Sequence, residues 1–291
     1  MQRGLIAAFI FLAVCAGLSA QDNFGTKPDS ETSQQETVFK SWEQRTTGTQ
    51  AKQPAWPPPL ITTFVGLIQV ERVDFVRQTA SSLVQTWNLD GSKGLNLIPF
   101  ANTEVDTNLP GYFLHNEPAV KNGAGDMSFV LKYRFLAGNA DHGSYVLSAF
   151  LSGAIPTGSY KNGSTDASVS PNIAVGKGFG WFDVQSTLGA SLPVMDTAKL
   201  GRSIAWNTAM QAHFARYFWP EVEFNSTWFK GGSNDGKNQT FATPGILVAH
   251  KLRPGEAKSR LALCMGGGEQ IATSRFHSYN HEIAITTRLL F

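Results

Sequence analysis

The chain has 291 residues, of which 16% are charged, 11% aromatic and 42% hydrophobic, with 28 glycines and a mean hydropathy of −0.14. Charged residues fall well below the roughly 25% of ordinary soluble domains, and the mix excludes a charged disordered chain, a coiled coil and a helical membrane protein. Formal charge is +2, from 24 Lys and Arg against 22 Asp and Glu, so no nucleic-acid partner is expected.

Residues 1–20 read as a signal peptide. Arg3 supplies the charged start, the run from Leu5 to Ala16 is apolar, and the small residues before Ala20 mark the cleavage point. The run is too short to cross a membrane as a helix, which takes about 20 residues. Leu12-Ala13-Val14-Cys15 comes close to a lipidation motif, but Val14 stands where a small residue belongs. Removal of this segment leaves Cys264 as a lone thiol, which reads as a small packing residue.

Residues 21–59 are polar and end in the proline-rich stretch Pro54-Ala55-Trp56-Pro57-Pro58-Pro59, and they are expected to form a flexible periplasmic tail, the alternative being a plug inside the lumen.

From residue 60 to Phe291 the dominant period is two. Met127, Phe129, Leu131, Tyr133 and Phe135 alternate with Ser128, Val130, Lys132 and Arg134, and the same pattern returns over residues 182–192 and 221–228. Alternation of this kind places one face in an apolar medium and the other in water. The expected fold class is all-β: a transmembrane antiparallel barrel of about twelve strands over residues 60–291. The strands are placed at 60–71, 74–88, 95–106, 125–136, 143–155, 167–178, 180–193, 203–217, 219–230, 240–251, 259–270 and 279–291. Links between them alternate long and short, as in outer-membrane barrels with short periplasmic turns and long external loops. Aromatic residues flank the short links, among them Phe179, Trp181, Tyr217, Phe218 and Trp219. Trp206, Trp228 and Phe241 fall near the opposite strand ends, and both sets are expected to form girdles. The final strand places Ile283, Ile285, Leu289 and Phe291 on one face and ends on an aromatic residue, resembling the signal read by the barrel-assembly machinery. Localisation in the outer membrane of a diderm bacterium follows, with outer-membrane lipids and lipopolysaccharide as surroundings.

A family resemblance rests on Gly123-Ala124-Gly125-Asp126-Met127, Ile155-Pro156-Thr157-Gly158-Ser159, Val175-Gly176-Lys177-Gly178-Phe179-Gly180, Glu221-Val222-Glu223-Phe224-Asn225 and Thr243-Pro244-Gly245-Ile246. Their order resembles the MetA-pathway of phenol degradation family of outer-membrane barrels. The resemblance implies a transporter-like role, passage of small hydrophobic or aromatic solutes. Phe276, Tyr279, Tyr160 and Met195 are the candidate residues lining an outer opening. Read on their own, the glycine motifs are construction: they sit where strands meet loops, and Pro156 and Pro244 mark strand ends or bulges.

The inferred inward face carries Lys132, Arg134, Asp183, Gln185, Asn207, Gln211, His213, Glu221, Glu223, Asn225, Glu282 and Arg288. Such a face lines either a polar passage or a filled, salt-bridged lumen, the alternative being a structural or interaction barrel. An outer-membrane hydrolase built on His277 and Ser278 ranks third, because adjacent strand residues point to opposite faces and no orienting acid is identifiable. His277 and His281 as metal ligands lack a second cluster. No catalytic, metal or cofactor-binding residues and no cofactor are expected, and the chain is not read as an enzyme. Deletion of Phe291 should lower the amount of heat-modifiable barrel in outer-membrane fractions while export across the inner membrane continues.

Overall fold

The computed structural model describes residues 30–90, 93–215, 217–252 and 260–291, so the expected signal peptide lies outside the described residues. Two compact units divide the chain after Ser41. Of the first unit, the described part is the beginning of a helix, α1 (Ser30–Gln50). The second unit, from Trp42 to Phe291, contains the barrel.

Among the described residues twelve antiparallel barrel strands follow in chain order: β1 (Val70–Thr79), β2 (Gln85–Asp90 continued by Gly94–Phe100), β3 (Thr103–Asn108 continued by Tyr112–His115) and β4 (Gly123–Ala124 continued by Met127–Gly138). Then come β5 (Tyr145–Ile155), β6 (Ser168–Gly178), β7 (Phe182–Pro193) and β8 (Arg202–Ala212). The last four are β9 (Phe218–Lys230), β10 (Asn238–Lys251), β11 (Ala262–Ala272) and β12 (His281–Leu290). Each strand pairs with its sequence neighbour, and β1 pairs with β12 from Val70 opposite Leu290 to Thr79 opposite His281, which closes the sheet on itself. Closure leaves no unpaired edge, the condition for a sheet in lipid. Val70 and Leu290 lie at one rim, the terminal rim, with the turns 101–102, 139–144 and 179–181, the end of β8 and start of β9, and the end of β10 and start of β11. The links 80–84, 116–122, 156–167, 194–201, 231–237 and 273–280 form the opposite, loop rim.

From residue 125 onward the strands lie close to their expected places. The first three do not. The expected strand at 60–71 is an extended, non-strand segment inside the barrel, and the barrel begins at Val70. The two following strands shift accordingly. β3 is interrupted at residues 109–111, which breaks the period-two pattern that would have marked it. Pro244 of β10 stands at a gap in the β10–β11 ladder, between Ala242 opposite Ile271 and Gly245 opposite Gly268. That fits a residue with no N–H to donate.

Outward positions form an apolar belt: Leu131, Ile173, Leu188 and Ile285 are each about half exposed, at 53%, 49%, 49% and 52%. A continuous apolar belt of this extent is incompatible with water and matches the hydrocarbon layer of a bilayer. Aromatic side chains cluster at the terminal rim, where Phe179 stacks on Phe182 and Trp181 meets Phe214 edge-on. Trp206 and Trp228 face outward nearer the loop rim. Two expected girdle residues face inward instead. Phe241 is 3% exposed, and Trp219 packs against the buried cluster of Leu60, Leu247 and Cys264. Both have the strand parity of Glu221 and Thr243, which are buried in the lumen. An arginine in place of Leu188, at the middle of β7, should destabilise the barrel by about 2–4 kcal/mol. A lowered denaturation midpoint in bilayers checks this.

Candidate functional site

The lumen is the candidate site, and its terminal half is filled. Residues 42–69, most of which were expected as a flexible tail, run along the inner wall, and Pro54, Pro57, Pro58, Pro59 and Leu60 are buried. The correction has a chemical cause. A proline carries a carbonyl acceptor but no N–H. The wall answers the proline run with donors alone: Arg288 donates through Nη1 to the Pro58 carbonyl and through Nη2 to the Pro59 carbonyl at 2.9 Å. Arg72 donates to the Pro59 carbonyl at 3.4 Å and the Leu60 carbonyl at 2.5 Å, and Gln185 to the Pro57 carbonyl at 3.4 Å.

Beyond the prolines, backbone N–H groups return and the wall switches to acceptors. Leu60 N–H donates to Glu221 Oε1 at 3.0 Å. Ile61 and Thr62 donate to the two carboxylate oxygens of Glu223 at 2.7 and 2.6 Å, and Ile68 donates to Glu104 at 2.5 Å. Gln53 bridges within the segment, accepting from Leu67 N–H at 2.9 Å and donating to the Leu67 carbonyl at 2.8 Å. Lys132 pairs with Glu104 at 2.6 Å and donates to the Gly66 carbonyl at 3.2 Å. Ser148 donates to the Val65 carbonyl at 2.5 Å. Charge-assisted hydrogen bonds of this kind contribute about 1.5–3 kcal/mol each.

Arg72 and Arg288 face each other directly across the closing β1–β12 seam. Like charges at such positions repel. The repulsion is offset by Asp74, which accepts from Arg72 at 2.7–3.0 Å, and by the carbonyls of the proline run. Shape agrees with charge. A Cβ on Gly176 would stand 2.7 Å from the Trp56 ring and 2.8 Å from Val65, and one on Gly178 would stand 3.0 Å from Trp56. Gly245 and Gly268 make the same allowance for Leu60. These four glycines are sockets in the wall.

Helix α1 enters the arrangement from Trp42 onward. Thr46 and Thr49 are buried, and Trp42 Nε1 donates to Gln69 Oε1 at 2.7 Å. The spacing 42, 46, 49 is a helical face, composed of threonine and tryptophan rather than aliphatic residues.

Of the expected inward residues, Lys132, Arg134, Asp183, Gln185, Gln211, Glu221, Glu223, Asn225, Glu282 and Arg288 are buried in the lumen, and Asn207 is half-buried. His213 is the exception. It lies exposed beyond the end of β8, stacked on Trp219 with ring centroids 4.2 Å apart. Cys264 is buried as expected.

The loop half of the lumen has a different lining. Its inward positions include Ser128, Ser152, Asn172, Asn207 and Thr227, uncharged hydroxyls and amides. Phe113 stacks with His115 at 6.5 Å, and Phe241 stacks with Tyr279 at 4.7 Å. Burial and the neighbouring Glu282 carboxylate push the Tyr279 hydroxyl well above its ordinary range, which keeps it a donor, and it donates to Gln270. A cavity of about 370 Å³ opens between Phe113, Asp126, Ser128, Ala154 and the loop 162–164.

The first two glycine motifs secure the loop 156–167. Asp126 accepts from Gly158 N–H at 2.9 Å and Ser164 N–H at 2.6 Å, and Met127 N–H donates to Thr157 at 2.9 Å. Of the four residues expected around an outer opening, Tyr279 is drawn into the lumen. Phe276 packs edge-on against Phe229. Tyr160 lies under Lys121 and Met195 is 67% exposed, each on a loop of its own. His277 bonds the Ser274 carbonyl at 2.9 Å and Asn280 at 2.8 Å, not Ser278. His281 instead faces Glu269 at 3.0 Å.

The fold is that of an outer-membrane-type barrel. Among solved structures the chain is similar to an outer membrane channel from Pseudomonas putida F1, with 13% identity and a TM-score of 0.50, over 81% of this chain and 100% of that one. A second is the NanC porin, with 8% identity and a TM-score of 0.48, over 75% and 98%. No family model and no curated protein matches the chain.

Replacing Glu223 with Ala leaves the N–H groups of Ile61 and Thr62 without acceptors. It should loosen residues 60–69 by about 3 kcal/mol, seen as faster hydrogen exchange there while exchange in β5–β8 stays unchanged.

Proposed function

We propose that the protein is an outer-membrane channel of a diderm bacterium for passive uptake of small solutes, in particular small aromatic molecules that carry a polar group. One observation carries the reading: a polar lumen inside an apolar belt, with its loop half lined mainly by hydroxyls and amides around two stacked aromatic pairs. Aromatic faces favour a ring, and the surrounding hydroxyls and amides favour its substituents. The family resemblance and the similarity to the outer membrane channel from Pseudomonas putida F1 support the same reading. The terminal half, occupied by residues 54–69, then sets how far a solute travels.

The filled terminal half also favours a second reading, a structural barrel that conducts nothing. Liposomes separate the two. The probe is an aryl glycoside, which lipid excludes, against a disaccharide of similar size. The channel reading expects the aryl glycoside to enter faster than into empty liposomes and faster than the disaccharide, with Phe241→Ala abolishing the preference. Absence of flux from both the wild type and Glu223→Ala would leave the structural reading standing.

A further inference from the structure

The loop rim carries a cationic cluster that the channel reading does not use. Arg202 opens β8 and Lys230 closes β9, and the two are directly opposite each other in the ladder. Both are exposed and share the outward parity of Ile204, Trp206 and Trp228. A third cation, Lys199, is exposed on a single helical turn, α2 (Thr197–Leu200). The link carrying α2 lies against the next one, so closely that a Cβ on Gly232 would stand 2.7 Å from the Lys199 carbonyl. Lys199 is thereby held beside the end of β9.

Among the described residues, none of the three side chains has a hydrogen-bonding, ionic or ring partner. Asp235, on the neighbouring link, accepts from Gly231 N–H at 2.6 Å, and Asp196 begins α2. Like charges directly opposite on one sheet face are destabilising. A pair kept in that position without a protein counter-charge calls for an anion from outside.

Their height selects which anion. Arg202 lies two residues beyond Ile204, and Lys230 two beyond Trp228, about 7 Å past the edge of the apolar and aromatic belt. That is the headgroup level, and at the loop rim of an outer-membrane barrel the headgroup layer is lipopolysaccharide. We propose that Lys199, Arg202 and Lys230 form a binding site for the phosphate groups of lipid A. Arg202 offers a planar fork suited to a phosphate, and the two lysines supply point charges. The belt below, with Ile204, Trp206 and Trp228, receives the acyl chains. The assignment rests on the outer-membrane reading, which supplies the lipid.

Native mass spectrometry of the detergent-solubilised barrel tests it, with bis-phosphorylated lipid A and phosphate-free lipid A as probes. The expected result is about tenfold weaker retention of the phosphorylated lipid by the triple variant Lys199→Gln, Arg202→Gln, Lys230→Gln than by wild type. The phosphate-free lipid should not distinguish the two proteins. Equal retention of phosphorylated lipid A by a variant that still shows heat-modifiable mobility overturns the site and leaves the channel reading intact. Displacement of the lipid by millimolar inorganic phosphate also overturns the assignment, marking a free-phosphate site. A wild-type protein that stays soluble without detergent overturns both readings.

Discussion

The arrangement depends on a match between a proline run that can only accept hydrogen bonds and two arginines that can only donate them. Arg72 and Arg288 face each other across the barrel seam, and the pair is not tolerable without counter-groups, because like charges repel in a low-dielectric interior. The carbonyls of Pro58, Pro59 and Leu60, with the Asp74 carboxylate, convert that repulsion into a clamp. Where the prolines end and N–H groups return, Glu221, Glu223 and Glu104 replace the arginines. The polar groups of the wall read the backbone of the segment, while its glycine sockets receive the side chains of Trp56 and Leu60.

This match divides the lumen into two chemical zones. The terminal half is ionic, tightly bonded and occupied. The loop half is lined mainly by serine, threonine and asparagine, with the carboxylates of Glu282 and Asp126 among them and aromatic pairs at Phe113–His115 and Phe241–Tyr279. Strand alternation alone produces the outer belt, but it says nothing of the zoning along the barrel axis. Zoning arises from which residues occupy successive inward positions, as in β9, where Glu221 and Glu223 give way to Asn225 and Thr227.

Most of the barrel was legible in the sequence because lipid outside and polar groups inside impose a period of two, which β4 to β12 follow apart from a bulge at Phe135 and Leu136 in β4. What was not legible has specific causes. Residues 60–69 are apolar enough to pass for a strand, yet their backbone partners are side chains of distant strands rather than a neighbouring ladder. Helix α1 buries Thr46 and Thr49, so its inner face carries no aliphatic stripe to detect. The break at 109–111 hides the parity of β3. Phe241 and Trp219 were taken for girdle residues because composition marks an aromatic as near a strand end without telling which way it points. Their parity with Thr243 and Glu221 was the signal that could have decided it. The inward charged list was read almost correctly, since buried charges on a period-two strand have no other place to go.

The proline run is joined to β1 by ten residues, Leu60 to Gln69, and its clamp is made of one arginine from each seam strand. Until β1 and β12 pair, half of the clamp is missing and the run lacks its full set of donors. Once they pair, two arginines are forced together and need the run to be present. A barrel shut without this segment leaves Arg288 without its two carbonyl acceptors and the seam pair with Asp74 as its counter-charge. The seam therefore favours cylinders that hold residues 57–60 inside.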